Sequence, residues 1–79
     1  MKVEEYIIEL AKKEFEGNFK DVNFILPLDE GEDASAEIVI REDEDDDEVL
    51  EKLANIYFVA QAKGWFVTVG WVVDNWKRG

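Results

Sequence analysis

Carboxylates are the only abundant reactive groups in this 79-residue chain: 20 acids stand against 9 bases, with no His and no Cys. Without His there is no near-neutral proton shuttle, and no triad of the serine-hydrolase kind can be assembled. Without Cys there is no thiolate nucleophile. Ser35 is the only serine and Thr68 the only threonine. Neither has a base beside it, and both read as ordinary sheet residues. A pair of carboxylates can run glycoside hydrolysis. Among so many acids, however, a pair carries no information, and a chain this short leaves little room for a substrate cleft.

Metal and phosphate chemistry fare no better. A calcium loop needs acids at alternate positions, a glycine at the sharp turn and a Glu further on. Neither Glu42–Glu48 nor Asp29–Asp33 has that spacing. Zinc and iron sites lack their usual His and Cys ligands. The five glycines are scattered, with no phosphate-binding loop among them. The expectation is a protein that is not an enzyme and takes neither metal nor cofactor.

What the chain does have is charge. The formal net charge is -11, which repels nucleic acid and anionic membranes and favours cationic partners. The acids gather in two segments, Asp29, Glu30, Glu32 and Asp33, and the unbroken run Glu42 to Glu48. Solubility accounts for a polar turn at the first segment. In the second, one of Asp45 to Asp47 can cap a following helix, with its neighbours at the positive end of the dipole. The part of the run before that helix reads as a solvated loop, because like charges at this density resist compaction. The binding reading joins Asp29, Glu30, Glu32, Asp33, Glu37, Glu42, Asp43, Glu44 and Asp45 into one negative track along one side of the fold.

The elements that would position these residues follow from periodicity. Val3, Tyr6, Ile7, Leu10, Ala11 and Phe15 recur at helical spacing over 2–17, with Gly17-Asn18 as a stop. Alternation predicts a strand over 20–28, with Val22, Phe24, Leu26 and Leu28 on one face. Pro27 restricts that strand to an edge or ends it. A returning strand over 34–41 puts Ala34, Ala36, Ile38 and Ile40 on one face. A second helix runs to about Lys63, its apolar face holding Leu50, Leu53, Ala54, Tyr57 and Ala60, widened by Val49, Ile56 and Phe58. A final strand spans 65–76, with Gly70 as a bulge or a close backbone approach, and a basic tail ends the chain.

The chain therefore reads as one domain, residues 1–79, of the α+β class: a two-layer α-β-β-α-β fold with both helices on one face of a three-stranded sheet. The last strand pairs either with the first, giving order 2-1-3, or parallel to the second through a crossover, and Pro27 favours the latter. The uncovered face would carry Ile25, Val39, Phe66 and Val72, an interface for a second copy or another protein. The first residues carry acids where a signal peptide would be apolar, and the run Trp65 to Val73 is about half of a membrane span. A cytoplasmic location is expected.

In size, charge and mixed build over the whole chain, the sequence resembles small acidic phage-encoded inhibitors, anti-CRISPR proteins and DNA-mimic inhibitors of repair enzymes among them. It also resembles the acidic immunity proteins of nuclease toxins. The resemblance rests on no motif and carries over no residue. It implies a partner with a basic surface, a nucleic-acid-binding protein, with no direct contact to nucleic acid. The alternatives are an engineered or stability-selected domain without biochemical activity, and a homo-oligomeric module using the open sheet face.

Overall fold

The computed structural model describes residues 2–74. The elements run α1 (Val3–Glu14), β1 (Phe19–Phe24), β2 (Ala34–Ile40), α2 (Asp46–Ala62) and β3 (Val67–Val73). This is the small α+β fold expected, with a mixed sheet. β1 pairs antiparallel with β2, and β2 pairs parallel with β3, so β2 is central. The order is thus the crossover alternative, not 2-1-3. Proline explains part of this: a residue without an N–H cannot continue a ladder. β1 stops at Phe24, short of Pro27, and lies at an edge.

β2 alternates without a fault. Ala34, Ala36, Ile38 and Ile40 are buried, whereas Ser35, Glu37 and Val39 are half-buried on the other face. The buried set meets Ile7, Ala11 and Phe15 from α1, Val49, Leu53, Ile56 and Ala60 from α2, and Val22 and Val67 from the flanking strands. α1 lies over β1 and β2, and α2 lies against α1 and β3.

Several boundaries differ from the periodic reading. α2 turns a stripe of spacing four, three, four toward the core, through Val49, Leu53, Ile56 and Ala60. At about 100° per residue, Leu50 falls on the flank of that stripe and Phe58 on its far side. They are 53% and 61% exposed. Leu26 and Leu28 are not core residues either, because the chain has left the strand before reaching them. Gly70 makes no bulge: its strand keeps an unbroken register with β2, and the register shift lies in β1 between Phe19 and Asp21. The proposed strand residues 75 and 76 and the basic tail lie outside the described residues.

Adjacent residues of β2 test the two faces. Ile38→Ala should cost about 2–5 kcal/mol by urea denaturation, a large part of the stability of so small a chain, because it empties a fully buried site. Val39→Ala, one residue along and on the open face, should cost less than about 1 kcal/mol.

Candidate functional site

The acidic run begins where β2 ends. Phe19 pairs with Ile40, which brings Asn18 level with Arg41 and Glu42. Gly17, at φ +84°, turns the chain out of α1 in a conformation that glycine adopts without strain, and so delivers Asn18 to this place. The Asn18 side chain then clamps the start of the acidic segment. Its Oδ1 accepts the N–H groups of Glu42 at 2.7 Å and Arg41 at 3.1 Å. Its Nδ2 donates to the Glu42 carbonyl at 2.9 Å and to Glu44 Oε2 at 2.6 Å.

Glu44 takes a second partner from α2, the Lys52 ammonium at 2.7 Å from Oε1. The same Nζ lies 5.0 Å from the centre of the Phe15 ring, a cation–π distance. The Lys52 hydrogen bond, and after it the Asn18 hydrogen bond, hold the Glu44 carboxyl below the usual glutamate range. The segment expected to be a solvated loop is therefore tied at its start and at Glu44. Asp45 occupies the N-cap position, but its side chain makes no capping hydrogen bond. Its backbone carbonyl accepts Val49 N–H at 3.0 Å, and the first-turn acids Asp46, Asp47 and Glu48 favour the helix through its dipole.

Glu42, Asp43, Asp45, Asp46, Asp47 and Glu48 are exposed, and their carboxylates have no hydrogen bond or ion pair among the described residues. The other acids named from sequence are placed differently. Glu32 accepts the Thr68 hydroxyl and the Asp29 N–H, and these bonds lower its pKa. Asp33 accepts the Phe66 N–H at 2.7 Å. These two carboxylates fasten the β1–β2 connection to the start of β3. Asp29 and Glu30 stay exposed at its tip, and Glu37 sits half-buried on the open face. The two acidic segments lie beyond opposite ends of β2, a strand roughly 20 Å long at about 3.3 Å per residue.

The open face does not gather its apolar residues into one patch. Val39 and Val72 are neighbours across β2 and β3, as the register places them. The next row is Asn23, Glu37 and Gly70, two of them polar and the third without a side chain. Ile25 and Phe66 lie beyond it, near Ser35 and Thr68. Beside the β1–β2 connection, Phe24, Ile25, Leu26 and Leu28 line a shallow open cleft together with Glu4 and Asp33.

Asn18 and Lys52 are the residues that sequence reading missed. Asn18 was legible only as a helix stop, and nothing in the sequence singled out Lys52. No family model matches the chain, and no curated protein or solved structure matches it.

Two predictions follow from the clamp. Asn18→Ala should lower stability by about 1–3 kcal/mol in chemical denaturation, since the bonds it removes serve backbone groups and a carboxylate together. The Glu44 bond should also show in pH dependence. A carboxyl whose folded-state pKa lies below its unfolded value stabilises the fold above the unfolded pKa, and that contribution is lost as pH falls through the folded pKa. The thermal midpoint of the wild type should therefore exceed that of Glu44→Gln at pH 7, and the gap should close as the solution is acidified below the ordinary glutamate range. A gap independent of pH would show that the ionised form of Glu44 contributes nothing.

Proposed function

We propose that the chain is a protein-binding domain that occupies a basic, nucleic-acid-binding surface of another protein, acting as an inhibitor in the manner of a DNA mimic, an anti-CRISPR protein or a nuclease immunity protein, in the cytoplasm. The observation that carries this reading is the tethered acidic segment. Six exposed carboxylates, at Glu42, Asp43 and Asp45 to Glu48, follow a backbone stretch that Asn18 holds in one conformation. A flexible acidic loop would lose conformational entropy on binding, and a tethered one loses less.

The spacing also suits the role. Along the start of α2 successive acids rise by about 1.5 Å per residue, close to the one charge per about 1.7 Å of axis on duplex DNA. Such a surface gains from electrostatic steering and from charge-assisted hydrogen bonds to Arg and Lys. The reactive-group inventory supports binding over catalysis, since the chain has neither His nor Cys. No helix among the described residues is long and apolar enough to cross a membrane.

The test is capture from a lysate rich in nucleic-acid-binding proteins, with washes at low and high salt and with duplex DNA as competitor. A basic nuclease or DNA-binding protein that DNA displaces is the expected result. Against that partner, Asp43→Asn/Asp46→Asn/Asp47→Asn/Glu48→Gln should weaken binding by about fourfold to several hundredfold, each of the four exposed pairs contributing about 0.2–1 kcal/mol. Asp29→Asn/Glu30→Gln should matter less. Unchanged affinity in the first variant would overturn the reading.

A further inference from the structure

The charge on this chain is confined to part of it. All 20 acids except Asp74 precede Lys52, and from Leu53 to Val73 the only charged residue is Lys63. That neutral stretch is the second half of α2 together with β3, and β3 forms one edge of the sheet.

The two sheet edges are built differently. On β1 the register shift falls at Lys20, Lys20 pairs with Asp74, and the Asp21 carboxylate accepts the N–H of Val22 at 2.8 Å. A bulge, charged side chains and an occupied N–H are devices that keep an edge strand from pairing with another chain. β3 has none of them: it is Val-Thr-Val-Gly-Trp-Val-Val, in unbroken register with β2. Asp74 donates its N–H to the Ile40 carbonyl, so the even-numbered residues of this ladder aim their backbone groups at β2. Backbone groups alternate along a strand. The N–H and C=O of Val67, Val69, Trp71 and Val73 therefore point away from the sheet, unpaired among the described residues.

An apolar shelf lies beside that edge. Lys52 and Lys63 lean from one flank of α2 onto Phe15 and Tyr6 of α1. At about 100° per residue, Leu50 and Tyr57 fall on the opposite flank of α2, away from α1, while Phe58 points away from the core. Leu50 and Phe58 are exposed, and Val69, Trp71 and Val73 stay half-buried although they face the helix layer.

We propose that β3 pairs antiparallel with β3 of a second copy across a two-fold axis at Gly70, making one continuous six-stranded sheet. The symmetry fits. Pairing about Gly70 sets Val69 opposite Trp71 and Val67 opposite Val73, and these are the residues whose backbone groups point outward. Gly70 meets itself on the axis with no side chain to clash. Two copies each at -11 repel wherever acids meet, and β3 itself carries no acid from Val67 to Val73. Antiparallel pairing also lays α2 against its counterpart in reverse, so that the acidic start of each helix lies beside the neutral half of the other. The inference does not depend on the acidic segment, which would remain open in the dimer.

The experiment is sedimentation equilibrium of the full chain over a wide concentration series, with hydrogen exchange on the same samples. A species of twice the 9.2 kDa chain mass is expected, with the amides of Val67, Val69, Trp71 and Val73 protected only where it forms. Gly70→Lys should weaken association several-fold, because like charges then face each other across the axis. A Cβ at position 70 meets nothing within 4 Å, so the fold itself should tolerate the change. Val39→Lys, on the open sheet face, should leave association unchanged. A monomer at every concentration would overturn the proposal. So would a dimer that survives Gly70→Lys but is lost in Val39→Lys, or one in which those four amides exchange freely.

Discussion

The structure depends on β2 being satisfied on both edges and buried along one face. All seven of its residues pair with β3 and those from Ala36 to Ile40 also pair with β1, while Ala34, Ala36, Ile38 and Ile40 share one core with residues of both helices. A strand so placed tolerates neither a proline nor a charge on its helix side. The polar residues therefore collect at its ends, with Glu32 and Asp33 before Ala34 and Arg41 and Glu42 after Ile40. At each end some of them become ties. Asp33 and Glu32 hold the start of β3. Asn18 and Lys52 hold the segment that leads into α2.

Charge and apolar surface are thereby separated. Carboxylates crowd the exit of β2 and the first turn of α2, where the helix dipole favours them. The remainder of α2 and all of β3 are nearly free of charge. A net charge of -11 discourages contact between copies in general, and the proposed pairing falls on the uncharged strand. The same division leaves the acidic end exposed for the proposed cationic partner.

Much of the fold was legible because each element obeys one period. β2 alternates over its whole length, and the α1 stripe of Ile7, Ala11 and Phe15 keeps to spacings of four. Pro27 pointed to the right strand order because a missing N–H has one consequence in a ladder. α2 was harder to read. Apolar residues occur nearly all round it, and periodicity alone could not tell that Val49, Leu53, Ile56 and Ala60 face inward while Leu50 and Phe58 do not. In the acidic region, composition located the charges, but their roles depend on partners distant in sequence. Asn18 reaches Glu42 and Glu44, Asp33 reaches Phe66, and Glu32 reaches Thr68. Such pairs are set by strand register, which a count of acids does not contain.

The central claim is that the tethered acidic segment, and not acidity at large, makes the binding surface. Its most direct test is an amide chemical-shift titration of the protein with an arginine-rich peptide, repeated at rising salt. Shifts should concentrate on Glu42 to Glu48, be weaker at Asp29 and Glu30, and diminish as salt screens the charges. Shifts spread evenly over every exposed acid, α1 included, or centred on the open sheet face, would contradict it.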